Sequence, residues 1–82
     1  MQFKESELNK FISQLNPKAQ RFYDDLSRDD RAFVGKQIEH FPFLIQQTLI
    51  EEYQKRAAGY EANTYLRSKV IELNQIIPHR LV

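Results

Sequence analysis

The chain contains no cysteine and no tryptophan, only two glycines and three prolines, and no long apolar run. Each shortage removes a class of structure. Without cysteine there are no disulfides and no thiolate metal sites, and the redox compartment is unconstrained. So little glycine and proline cannot supply the many turns of an all-β fold. No stretch approaches the ~20 apolar residues that a membrane helix needs, and residues 1–7 lack the apolar core of a secretion signal. The expectation is a cytoplasmic protein with no membrane contact.

What is present is aromatic and helical. Six phenylalanines and four tyrosines fall within 82 residues, of which 41% are hydrophobic and 28% charged. A chain this short is one domain, and its core burial only narrowly offsets chain entropy. Large rings are how it can build a core at all. The composition predicts an all-α domain, residues 1–82, of four to five short helices.

The spacing of apolar residues places those helices. Leu8, Phe11, Ile12 and Leu15 form an i, i+3, i+4, i+7 stripe, with Ser6 as a candidate N-cap. Asn16-Pro17 closes that helix and opens the next, Asn as cap and Pro at the first helical position. Ala19, Phe22, Tyr23 and Leu26 repeat the stripe. Ser27 followed by Asp30 has the form of a capping box, and predicts a third helix from Arg28 to Glu39. That helix buries Phe33 or Val34, then Ile38 and Phe41. Gly35 within it marks either a close helix crossing or a neutral site.

Phe41-Pro42 breaks the pattern, since the ring disfavours helical geometry just before it. Pro42 opens a fourth helix predicted to reach Ala58, with Ile45, Leu49, Tyr53 and Ala57 on one face. Glu51–Lys55 and Glu52–Arg56 are i, i+4 pairs on its wet side. Gly59 reads as a helix C-terminus or a weak point. Ala62, Leu66, Val70 (or Lys69), Leu73 and Ile77 continue a last helical seam until Pro78. The last two helices are the longest.

Chemistry for an enzyme is missing. His40 and His79 are far apart, and neither has a partner at metal-ligand spacing. His40 reads as a helix-end residue. Asp24-Asp25, Asp29-Asp30 and Glu51-Glu52 are adjacent pairs, whose side chains diverge on a helix instead of converging on a substrate. Gly35 and Gly59 stand alone, so no phosphate loop exists. The expectation is a non-enzymatic protein with no cofactor and no metal.

Binding is the better prospect. Lys55, Arg56, Tyr60, Asn63, Arg67 and Lys69 combine cations, an amide and aromatic faces within the last two helices, suited to DNA or a protein partner. The charge is also uneven: net +2 over residues 1–21, −4 over 22–52 and +3 over 53–82. The acidic middle, with Asp24, Asp25, Asp29 and Asp30, is the alternative partner surface, and solvated helix faces are the bland account of both.

Three segments carry a family resemblance: Ile38-Glu39-His40-Phe41-Pro42-Phe43, then Leu49 and Tyr53, then Ala62-Asn63-Thr64-Tyr65-Leu66-Arg67. Together they resemble the N-terminal helical region of rolling-circle replication endonucleases of temperate tailed phages, over roughly a third of the chain. Those enzymes nick DNA with a tyrosine and a metal held by a histidine-hydrophobic-histidine motif. No such histidine pair exists here, so the resemblance implies a non-catalytic piece and makes no nucleophile of Tyr60 or Tyr65. It implies a helical interaction domain of phage or mobile-element type, docking on DNA or a replication protein through the basic face of its C-terminal helices. A short frame beginning at Met1 suits a small mobile-element protein. The alternatives are a phage-encoded inhibitor that blocks a host defence or replication complex through its acidic middle, and a structural homo-oligomer. The last of these, a homodimer in its simplest form, follows if Phe3, Phe41 or Phe43 is left out of the core.

Overall fold

The computed structural model describes residues 7–76, which form five helices and no strand. The expected all-α class is the observed one. The elements are α1 (Glu7–Ser13), α2 (Pro17–Asp24), α3 (Arg28–Ile38), α4 (Phe43–Lys55) and α5 (Gly59–Ile76), and the last two are the longest. Ser6, Ile77, Pro78, His79 and Phe3 lie outside the described residues, so the expectations placed on them have no structural counterpart.

The helix starts follow local chemistry. Asn16 Oδ1 accepts the Ala19 N–H at 2.8 Å and Pro17 occupies the first turn of α2. Ser27 Oγ accepts the Asp30 N–H at 3.1 Å at the start of α3. Caps of this kind contribute about 1 kcal/mol each. Pro42 precedes α4 in extended geometry.

One core joins all five elements. Phe11, Ala19, Val34, Ile38, Leu49, Tyr53, Ala62, Leu66 and Val70 are almost wholly buried. Between the two candidates on α3, Val34 enters the core and Phe33 stays partly exposed. Phe41 is buried, whereas Phe43 is 64% exposed. Gly35 marks a close crossing: a Cβ there would stand 2.6 Å from Leu8 Cδ2, so α1 lies directly on α3.

Three expectations need correction. Helix α4 ends at Lys55, not Ala58, because Arg56 turns extended (ψ 140°) and leaves Ala57 exposed. Gly59 opens α5 and ends nothing. A side chain there would meet the Phe22 ring at 3.1 Å, so its lack of a side chain lets α2 close on the start of α5. Lys55 pairs with Glu52 at 3.0 Å instead of Glu51. Glu52 also pairs with Arg56 at 3.2 Å, as the spacing predicts.

Candidate functional site

The sequence places its candidate residues on α4 and α5, and the packing of these two helices decides which of them face outward. Tyr53 is buried in α4 and its hydroxyl donates to Asn63 Oδ1 in α5. Asn63 Nδ2 in turn donates to the Phe22 carbonyl at 2.8 Å, near the end of α2. Both ends of the Asn63 amide are therefore engaged within the fold. Asn63 ties three helices together and, half-buried, shares one face of α5 with Arg67, as their i, i+4 relation predicts. Burial pushes the Tyr53 hydroxyl well above the ordinary tyrosine range, with Tyr23, Asp25 and Asp24 adding to the shift.

The residues carrying the family resemblance have similar packing roles. Phe41, Leu49, Tyr53, Ala62 and Leu66 are all in the core. Glu39, His40, Pro42 and Phe43 of the first segment are exposed, as are Thr64 and Arg67 of the last, beside half-buried Tyr65.

The basic set divides into two faces. Successive helical residues turn by about 100°, so residues two apart, such as Arg67 and Lys69, point about 160° away from each other. Lys69 shares its flank of α5 with Tyr65, and the Arg56 guanidinium lies 4.0 Å from the Tyr65 ring centroid. Arg56 Nη1 also donates to the Glu52 carbonyl at 2.8 Å, which holds the stack in place. A stacked, partly desolvated guanidinium of this kind contributes on the order of 1 kcal/mol. Lys55 completes this flank, and Lys69 pairs with Glu72 at 3.5 Å. The paired cations hold the Glu52 carboxyl below the usual carboxylate range, Lys55 through its hydrogen bond more than Arg56. Burial, reinforced by Glu52, pushes the Tyr65 hydroxyl up.

The opposite flank of α5 carries Tyr60, Thr64 and Arg67. They line an open groove of about 360 Å³, together with Asp25, Leu26, Ser27, Asp30, Gly59 and Asn63. Arg67 Nε pairs with Asp30 Oδ1 at 3.3 Å along this groove. Tyr60 stands at its edge, 82% exposed. Two residues from the acidic set, Asp25 and Asp30, thus meet three from the other candidate set, Tyr60, Asn63 and Arg67. Asp24, at the end of α2, and Asp29, in the first turn of α3, are exposed on either side of the same connection. Charge segregation along the chain does not survive folding at this place.

A stacking surface for unpaired bases needs cations and a free ring together. Here the free ring, Tyr60, stands beside carboxylates, while the grouped cations surround Tyr65, whose ring Arg56 already covers. Among the described residues no group of His, Asp and Glu side chains could hold a metal ion. None of the described helices is long and apolar enough to cross a membrane.

Two contributors went unseen in the sequence. Gln46 is buried, and its Nε2 donates to the Ile38 and Phe41 carbonyls at 3.2 and 3.0 Å. A polar residue inside an apolar seam is the signal that could have marked it as a helix-end clamp. Thr64, between Tyr60 and Arg67 on the groove face, carried no signal beyond its spacing.

No protein-family model, no curated protein and no solved structure matches this chain.

Proposed function

We propose that this chain is a non-enzymatic helical interaction domain of phage or mobile-element type, which docks on an acidic surface of a replication protein. The contact is made by the flank that carries Lys55, Arg56, Tyr65 and Lys69. The observation that carries this reading is the Arg56–Tyr65 stack, with its centroid distance of 4.0 Å. Arginine and tyrosine are enriched among the residues that dominate protein contacts, and the stack with its backbone hydrogen bond already orders the flexible Arg56 side chain. The neighbouring ion pairs are exposed and worth little, so a partner's carboxylates displace Glu52 and Glu72 cheaply. The replication partner itself rests on the resemblance to the helical region of rolling-circle endonucleases.

A DNA backbone is the second reading, favoured by three cations on one flank. It is the weaker one because Glu52 and Glu72 sit among those cations and no uncovered ring stands beside them. The inhibitor reading, through Asp24, Asp25, Asp29 and Asp30, shares the non-enzymatic role but uses the opposite side.

The test is capture of replication proteins from a host extract by the wild-type chain and by an Arg56→Ala/Lys69→Ala variant. Loss of capture with unchanged helicity supports the flank. Retention of both chains alike on DNA at low salt, or capture lost only when Asp24, Asp25, Asp29 and Asp30 become asparagine, overturns it.

A further inference from the structure

We propose that the α4–α5 hairpin opens and that two copies of this chain swap α5, residues 56–58 turning helical so that α4 and α5 become one helix over residues 43–76. A swap needs a short hinge between packed parts. Residues 56–58 are the only covalent link between α5 and the other described helices. Arg56, Ala57 and Ala58 are strong helix formers, and both alanines are exposed. What separates them from a continued α4 is local. In an unbroken helix the Arg56 N–H bonds the Glu52 carbonyl. Here that carbonyl accepts from Arg56 Nη1 at 2.8 Å, and the Arg56 N–H turns to the Tyr53 carbonyl at 3.3 Å. The side chain that stacks on Tyr65 is thus also the latch of the chain reversal.

Helical phase says what the open chain meets. Tyr53 and Ala62, both buried, are nine positions apart, so a continuous helix turns them about 180° from each other. The wholly buried face of Ala62, Leu66 and Val70 then points away from its own core. Its complement exists on another copy, where α5 packs again on α2, α3 and α4 as it does in the closed chain.

A bond already present sets the register. The Tyr53 hydroxyl donates to Asn63 Oδ1. Made between copies, that bond aligns two fused helices antiparallel about an axis level with residue 58. Arg56 of one copy then stands level with Tyr60 of the other. From Tyr53, positions 56, 60 and 63 follow at steps of three, four and three, the spacing of a helix seam, so these side chains share one side. Opening takes Arg56 away from Tyr65 and offers it the Tyr60 ring of the second copy, which is 82% exposed in the closed chain. Glu52, four residues before Arg56, stays beside it on the same helix, so the two guanidiniums near the axis remain neutralised. The swap does not depend on what the flank of Lys55 and Lys69 docks on.

Refolding from urea at high protein concentration, followed by size-exclusion chromatography with light scattering, tests the proposal. The wild-type chain is expected to yield a dimer that returns to monomer only slowly on dilution, since α5 must leave a core to do so. Ala57→Pro stops the helix at the hinge, and Arg56, extended at ψ 140°, already has the geometry that precedes a proline. That variant is expected to keep its helicity and to form the dimer about tenfold less or worse. In the isolated wild-type dimer, the amides of residues 56–59 should take up deuterium about tenfold or more slowly than in the monomer, because the fused helix encloses them. This measurement uses the native chain alone, so it decides the matter even where the proline variant does not fold. Monomer at every concentration overturns the proposal. So does a dimer formed equally by Ala57→Pro, or one whose hinge amides exchange as fast as the monomer's.

Discussion

Tyr53 and Asn63 are joined hydroxyl to amide across the α4–α5 hairpin, and the same amide carries the bond on to the Phe22 carbonyl. Replacing Asn63 strands the buried Tyr53 hydroxyl, while the Phe22 carbonyl keeps the Asp25 N–H at 3.1 Å; removing the Tyr53 hydroxyl strands one amide oxygen. Each stranded group costs roughly 1–3 kcal/mol.

Asn63→Ala is therefore expected to cost about 1–3 kcal/mol in urea unfolding, and Tyr53→Phe about 1–2 kcal/mol. The double variant should cost less than the sum of the two, because the shared bond is lost only once. Strict additivity would show that the pair does not act as a unit.

Much of the fold was legible in spacing, and Asn63 shows where legibility ended. The stripes of α1, α2 and α5 and the caps at Asn16 and Ser27 are local, so they stand in the sequence directly. The orientation of Asn63 depends on Phe22, which is 41 positions away, and no local pattern encodes it. The end of α4 was missed for a related reason. Residues 56–58 favour helix, but the Arg56 side chain folds back on Glu52 and over Tyr65, a ring brought near only by the chain reversal. Helical phase did contain the split of the basic set, since Arg67 and Lys69 are two residues apart.

Gly35 and Leu8 supply a coupled pair. Gly35→Ala gains up to ~1 kcal/mol of helix propensity but drives a methyl into Leu8 Cδ2, 2.6 Å from the new Cβ. Overpacking of that kind costs about 1–3 kcal/mol. The obstacle is the movable end of a half-buried side chain, so the expected result is a change near zero in the wild-type background and a net gain of up to ~1 kcal/mol once Leu8→Ala has cleared the space. Thermal melts of the four variants measure it.

Gln46→Leu preserves volume but leaves the Phe41 carbonyl without the side-chain donor that closes the end of α3, while the Ile38 carbonyl keeps the Phe41 N–H. The predicted cost is about 2 kcal/mol by urea titration, although leucine is the more apolar residue. Hydrogen exchange should quicken at the amides of the last turn of α3.

The tyrosines set the alkaline limit. Burial raises Tyr53, Tyr23 and Tyr65 above the ordinary value of 10.0 in the folded chain. A group raised on folding contributes fully below its unfolded pKa, and that contribution falls as pH rises toward the folded value. Stability should be flat up to about pH 10 and then decline, and Tyr53→Phe should flatten the decline. Glu52 acts in the opposite sense at the acid end. Its depressed pKa makes Glu52→Gln destabilising only above the unfolded carboxylate range, and added salt erases the difference because the pair is exposed.

Chain separations also imply an order of assembly. Gln46 closes on Phe41 and Ile38 across 5 and 8 positions, while α2 is tied down by Gln54 to Asn16 across 38 and by Asn63 to Phe22 across 41. Going from 8 to 41 positions raises the entropic cost of closure by about 1.4 kcal/mol. The corner between α3 and α4 is thus the natural nucleus, and the docking of α2 is the late step. Substitutions at Gln46 should slow refolding, while those at Asn63 should mainly hasten unfolding.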